Sequence, residues 1–267
     1  MGTAVACSPP RANVCAPFAW IVPWLVCVVG LALWPCPGAG EDLTGIIGVG
    51  PVSIPRYASG QDHRVSIAPF YIIGWGERFD LDSFNGATLW VAKLGDLKLG
   101  PNLTYAPGIY RAPGLDHISA RPTVGVRVEW DITPWFDVFT GAGREILVPD
   151  HGATANVGAE ALYEFGSRWY GYSGARLIWG NALYQQNYFG VSSAEAAHTS
   201  YPVYSPGAGL SQFALDQYLG FKFTEHWGMV AGFSYGRLLG PSADSPTVAL
   251  GGKPNQWLYG VFLGYKF

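Results

Sequence analysis

Charge and cysteine are both scarce in this chain of 267 residues: 13% of it is Asp, Glu, Lys or Arg, and four residues are Cys. All four, Cys7, Cys15, Cys27 and Cys36, fall within the first 36 positions. The body behind them therefore has no disulfide, no thiolate metal site and no cysteine nucleophile. Their spacing fits no zinc pattern, and they read as tolerated apolar residues of a segment that is later discarded. Basic residues do not predominate: 16 Lys and Arg stand against 19 Asp and Glu, a formal charge of −3, so no nucleic-acid partner is expected. From Glu41 onward there is no apolar run long enough for a membrane helix and no segment with an amphipathic helical period. A mean hydropathy of +0.16 is likewise too low for a bundle of membrane helices.

What the chain has instead is Gly 36, Trp 11, Tyr 15 and Phe 14, a combination that favours strands over helices. The last stretch, Asn255 to Phe267, shows how they are used. Every second residue, Trp257, Tyr259, Val261, Leu263, Tyr265 and Phe267, is large and apolar or aromatic. Between them stand Gln256, Leu258, Gly260, Phe262, Gly264 and Lys266, a mixed set. Alternate side chains of a strand point to opposite faces, so this is one apolar wall backed by a mixed one. Aromatics at both ends of the apolar row suit the two interfaces of a bilayer. The reading is an all-β, antiparallel transmembrane barrel of a bacterial outer membrane, with Tyr265 and Phe267 as the terminal signal for barrel insertion and lipid as its first partner.

The head carries one charge, Arg11, then an uncharged run from Ala16 to Trp34 and small residues at Gly38, Ala39 and Gly40. A basic start, an apolar middle and a small-residue end make residues 1–40 a secretory signal peptide ahead of a barrel over 41–267. A single membrane anchor is the competing reading.

Twelve alternating segments follow, roughly 42–52, 63–73, 78–83, 87–93, 97–107, 122–131, 135–145, 153–164, 168–190, 209–223, 226–239 and 255–267. Inner turns fall at 74–77, 94–96, 132–134, 165–167 and 224–225; outer loops fall at 53–62, 84–86, 108–121, 146–152, 191–208 and 240–254. All the inner connections are short and five of the six outer ones are longer, the arrangement of bacterial barrels. The exception, Phe84-Asn85-Gly86, is the weakest point of the count; without it ten strands remain. A charged side chain facing hydrocarbon at mid-bilayer costs about 2–4 kcal/mol. The charged row, Arg127, Glu129, Asp131, Glu160, Glu164, Arg168, Arg176, Asp216 and Lys222, is therefore expected to face the lumen. Five acids against four bases suggest a cross-lumen network that plugs the barrel rather than a one-sign selectivity ring. A narrow pore fits that interior; a wide porin does not.

Little else points to chemistry. Gly232-Phe233-Ser234-Tyr235-Gly236 matches the G-x-S-x-G pattern, which needs a strained strand-to-helix turn. Here it falls mid-strand, with Ser234 turned to the lumen as packing. The histidines, His63, His117, His151, His198 and His226, show no metal-ligand spacing. His198 with Ser200, or His63 with Ser66, has no evident third partner for hydrolysis. No catalytic residue, metal or cofactor is expected.

From about Gln186 to the end, the chain resembles the MipA/OmpV family of outer-membrane proteins. The resemblance is carried by Asn187-Tyr188-Phe189-Gly190-Val191, Ser193-Ala194-Glu195 and Tyr204-Ser205-Pro206-Gly207-Ala208-Gly209. It continues through Tyr235-Gly236-Arg237-Leu238-Leu239-Gly240, Ala243-Asp244-Ser245-Pro246 and Gly264-Tyr265-Lys266-Phe267. Where the family usually has an Arg-Ser-Gly run, this chain has Ala197-His198-Thr199-Ser200. The resemblance implies a non-enzymatic scaffold that binds a lytic transglycosylase and a penicillin-binding protein, coupling murein cutting to murein synthesis. An adhesin or surface antigen and a narrow small-solute channel are the alternatives, and an outer-membrane lipid hydrolase is a distant third.

Overall fold

The computed structural model describes residues 43–57 and 59–267. The expected leader, 1–40, and its four cysteines lie outside the described residues. The strands are β1 (Leu43–Pro55), β2 (His63–Trp75), β3 (Phe79–Asp82), β4 (Gly86–Leu89), β5 (Ala92–Leu94) and β6 (Leu97–Ala106). Then come β7 (Arg121–Thr133), β8 (Phe136–Glu145), β9 (Ala153–Phe165), β10 (Trp169–Gly180), β11 (Gly209–Lys222), β12 (Trp227–Leu238) and β13 (Asn255–Lys266). They form one antiparallel sheet that closes on itself through β1–β13 and β4–β6. Through the short hairpin β3–β4 every strand of the ring except β5 has a partner on each side over part of its length.

The alternation read from the sequence is the alternation of the wall. Trp257, Tyr259, Val261, Leu263 and Tyr265 of β13 are exposed on the outside, while Gly260, Phe262 and Gly264 are buried. On β7, Val124, Val126 and Trp130 are exposed and Arg127 and Glu129 are buried. At the seam, Phe267 N donates to Gly45 O at 3.1 Å and Gly45 N donates to Phe267 O at 3.3 Å, locking the terminus to β1.

The ring has twelve positions because β4 and β5 share one. β4 pairs Ala87 with Leu103 and Thr88 with Asn102; β5 pairs Ala92 with Leu99 and Lys93 with Lys98, all on β6. The register slips by one residue between the two pieces. Pro101 of β6 lies opposite that slip, where a residue without an N–H costs the ladder nothing. The expected single strand over 87–93 is thus two short ones in line.

Two expectations need correcting. The segment 168–190 is not one strand: β10 ends at Gly180, and α1 (Ala182–Phe189) follows. Asn181 caps that helix, its Oδ1 accepting from Tyr184 N at 2.8 Å. No helical period announced it because the residue at the centre of its buried face is polar, Gln185, 0% exposed. Further single turns, α2 (Ser193–Ala196), α3 (Gly240–Ala243) and α4 (Pro246–Ala249), fold the two long outer loops. The second correction concerns the connection at 84–86, which is not an outer loop. β3 and β4 are four residues each, against thirteen for β1 and β2, so their hairpin stops about halfway up a belt of about 25 Å. Its tip turns into the lumen.

Candidate functional site

The hairpin tip is shaped by Asp82, whose Oδ1 accepts from Phe84 N at 2.6 Å and Asn85 N at 2.7 Å, a side chain standing in for a turn. Gly86 closes the turn at φ +77°, and a Cβ there would lie 2.4 Å from Leu103 O, so no other residue fits. The result crosses the barrel. Phe84 stacks on Tyr172 of β10 at 4.4 Å and meets Tyr218 of β11 and Phe70 of β2 at 5.1 and 6.1 Å. Phe70 and Tyr218 belong to a buried cluster with Val52, Val230 and Phe262. Beside Phe84, Asn85 donates to Glu160 Oε2 at 3.1 Å, and Arg176 donates to Phe84 O at 3.0 Å. Asn102 of β6 props the turn from below, donating to Asn85 O at 2.9 Å and to Thr88 Oγ1 at 3.0 Å.

Around this tip the expected lumenal charges separate into groups. Arg127 pairs with Glu129 at 2.8 Å and with Glu160, and lies 4.0 Å over the Phe139 ring. Arg176 pairs with Asp216 at 3.3 Å. Asp131 pairs with Lys98 at 3.1 Å, and Lys98 also reaches Glu129 at 2.8 Å. Glu164 and Lys222 pair at 2.8 Å near the inner rim, where Glu164 is exposed, and Arg168 is exposed in the adjoining turn. These last three stand apart from the central cluster. Lys98 and Asp137 escaped the sequence reading, although Lys98, Gly100, Asn102 and Thr104 make a small or polar row of period two. Carboxylate oxygens of Glu129, Asp137 and Glu160 lie within 4.8 Å of one another, the one grouping among the described residues with the donors for a cation. Arg127 and Lys98 already supply positive charge there.

Above the tip, the outer half of the lumen holds a polar pocket lined by Asn85, Asn102, Thr104, Thr123, Asn156 and Arg176, among others. Its roof is a cap of interlocked outer loops. Gln185 of α1 accepts from Ser242 Oγ at 2.7 Å, and Ser245 Oγ donates to Phe189 O at 2.7 Å. Tyr204 OH donates to Pro241 O at 2.8 Å, and Lys253 N donates to Ser59 O at 2.9 Å. From the loop after β6, Arg111 pairs with Glu195 at 2.7 Å and donates to Gly190 O. Burial alone would raise the Glu195 carboxyl; the N–H groups of Ser192 and Asp116 and the Arg111 charge outweigh it and hold the group below its ordinary value. Several motif residues that carry the family resemblance, Asn187, Phe189, Gly190, Glu195, Tyr204 and Ser245, are thus parts of this cap.

The remaining candidates sit in quiet surroundings. Ser234 is mid-strand on β12, its hydroxyl 3.0 Å from Tyr218 OH. His63 Nδ1 lies 3.2 Å from Ser53 Oγ rather than beside Ser66. Tyr265 packs against His226 and Trp227 at the inner rim, with ring centroids 5.6 and 5.2 Å apart.

Residues 47–267 match the family model described as MltA-interacting protein MipA. No curated protein matches the chain. Among solved structures, an outer membrane channel from Pseudomonas putida F1 is 8% identical with a TM-score of 0.42, over 88% of this chain and 98% of that one. The outer membrane channel DcaP of Acinetobacter baumannii is 9% identical with a TM-score of 0.36, over 87% and 99%. OprG, an outer membrane protein from Pseudomonas aeruginosa, is 14% identical with a TM-score of 0.26, over 86% and 98%.

Proposed function

The chain belongs to the MltA-interacting protein MipA family, as an outer-membrane barrel, and on that premise we propose that it is a non-enzymatic scaffold for murein remodelling. Its periplasmic rim would hold a lytic transglycosylase and tie it to a penicillin-binding murein synthase. The observation that carries this reading is the hairpin tip across the lumen. With Phe84 and Asn85 fixed to the facing wall of β9–β11, the middle of the lumen is crossed and closed, so the barrel's surfaces are what it offers to a protein partner. The inner turns are short, yet they place exposed charges of both signs around the rim, among them Glu77, Lys93, Asp96, Arg168 and Glu225. Beside them a recess lined by Tyr170, Lys222, Glu225, His226, Trp227 and Lys266 gives one side of the rim some depth.

Capture of murein enzymes from detergent extracts tests the reading. Wild-type barrel should retain both classes, and the charge reversals Asp96→Arg, Arg168→Glu and Glu225→Lys together should abolish retention. Equal capture by the reversed rim would sink it. A second reading, a narrow small-solute channel, draws on the polar pocket in the outer half of the lumen. Discrete conductance steps in planar bilayers would favour it, and a silent bilayer would end it.

A further inference from the structure

The short β3–β4 hairpin leaves a consequence in the wall. β2 runs on past it from Phe70 to His63, and β6 runs on from Thr104 to Ala106, with no strand between them among the described residues. The last link on that side of β2 is at Tyr71, whose N donates to Ser83 Oγ at 2.9 Å and whose O accepts from Ser83 N at 3.0 Å. By the period of two, Pro69, Ile67 and Val65 direct their backbone groups to the same side as Tyr71. Pro69 has no N–H to leave unpaired, a residue suited to a free edge. Val65 and Ile67 are 74% and 60% exposed. The loop after β6 does not close the gap with a strand: Arg111 and Asp116 tie it to Glu195, toward the β10–β11 side of the mouth.

Backbone groups without partners do not face hydrocarbon, so this opening must be lined by something polar. The outer-half pocket adjoins it on the β6 side, where Asn102 and Thr104 and the hairpin tip at Phe84 and Asn85 line the pocket. Thr104, Thr123, Thr154 and Asn156 make no side-chain hydrogen bond among the described residues, so their donors and acceptors are available. The two guanidinium groups of the pocket, Arg127 and Arg176, are already paired with carboxylates. The pocket therefore suits an uncharged hydroxyl-bearing group better than an anion.

We propose that the upper lumen opens sideways into the outer leaflet between β2 (His63–Phe70) and β6 (Thr104–Ala106), as a binding site for an amphiphile. The uncharged hydroxyl-bearing head fills the pocket and the slot, where its hydroxyls meet the backbone groups of Val65 and Ile67, and the alkyl chain lies outside along the exposed side chains of Val65, Ile67 and Tyr105. This site is independent of any binding at the periplasmic rim, and a failed capture experiment would leave it standing.

Two measurements on the barrel in phosphatidylcholine nanodiscs decide it. In hydrogen exchange, the amides of Val65 and Ile67 should exchange on the order of 100-fold faster than those of Ser66 and Ala68, which face β1. Equal protection along β2 would mean a closed wall and overturn the proposal. In photocrosslinking, octyl glucoside carrying a diazirine in its chain should label residues 63–70 and 104–106. Excess octyl glucoside should displace the label, glucose should not, and Thr104→Trp should reduce labelling at least about tenfold while the barrel keeps its heat-modifiable migration. Label spread evenly over the lipid face would overturn the slot. Displacement by glucose as effective as by octyl glucoside would mean a saccharide site without the chain, and would overturn the lateral assignment.

Discussion

On the side of β1, β2 and β11–β13 the lumen is packed with Val52, Phe70, Tyr218, Val230 and Phe262, whereas on the side of β6–β10 it is held by Lys98, Arg127, Glu129, Glu160 and Arg176. Both sides present the same apolar row to lipid. The bilayer constrains only the outward residues, so the inward row is free to fill space by dispersion or by ion pairs. The two solutions respond differently to damage. An apolar wall loses contact area in proportion to what is removed. A buried ion cluster left with one partner missing keeps an uncompensated charge. The hairpin tip engages both, Phe84 on the packed side and Asn85 on the charged side, which is why it can stand as a crossbar.

The largest expected effect tests the charged side. Arg127→Met leaves Glu129 and Glu160 facing each other and Asp137, and should lower stability by about 3–5 kcal/mol in equilibrium urea unfolding from micelles. Adding Glu160→Gln to that variant should recover a large part of the loss. If Arg127→Met costs no more than a trimmed apolar residue, the two sides do not differ in kind.

Next comes the crossbar itself. Phe84→Ala should cost about 3 kcal/mol, since its ring touches Tyr172, Tyr218 and Phe70, while Phe84→Leu should cost less than about 1.5 kcal/mol. Equal losses for the two would mean that the tip is held by its hydrogen bonds alone, and would move it wholly to the charged side.

The cap gives a smaller, pH-dependent effect. Glu195 is held below its ordinary carboxyl range, so it binds protons less readily folded than unfolded. Its contribution is complete above the ordinary value of 4.5 and is lost as pH falls through the depressed folded value. Protease nicking of the loops 107–120 and 191–208 should therefore rise as the medium is acidified below that range. Glu195→Gln should be nicked faster at neutral pH and show little further change with acid, and an unchanged pH profile in that variant would remove Glu195 from the account.

The wall was legible in the sequence because period two has one physical cause, lipid on one side. That cause acts on Trp257 through Phe267 as strongly as on Val124 through Trp130. The cap was not legible for the opposite reason. α1 buries Gln185 and the loops bury Ser211, Ser242 and Ser245, so polar residues occupy core positions and no hydrophobic period forms. The inward turn at Phe84-Asn85-Gly86 lay between these cases. Its short strands were visible as a weak hairpin, but only the partners on β9, β10 and β11 say that it points inward. Among the expected charges, Arg168 lies exposed in the turn between β9 and β10 rather than on a strand, so the alternation that defines the row does not extend to it.

The smallest effect tests whether the outward row obeys a single rule. Gln217 interrupts that row between Leu215 and Leu219, where an unpaired amide in hydrocarbon would cost several kcal/mol. It is not unpaired: Ser173 Oγ donates to its Oε1 at 2.7 Å, and its Nε2 donates to Tyr163 OH at 3.1 Å and to Tyr172 O at 3.2 Å. Ser173 and Tyr163 also lie 3.1 Å apart, so they keep each other when the amide is removed. Gln217→Leu should then shift stability by no more than about 1 kcal/mol in either direction. Ser173→Ala with Tyr163→Phe, which strips the amide of side-chain partners, should cost about 1–3 kcal/mol. The reverse order would mean that Gln217 serves a contact outside the wall, and the outward face would then be a surface for protein as well as for lipid.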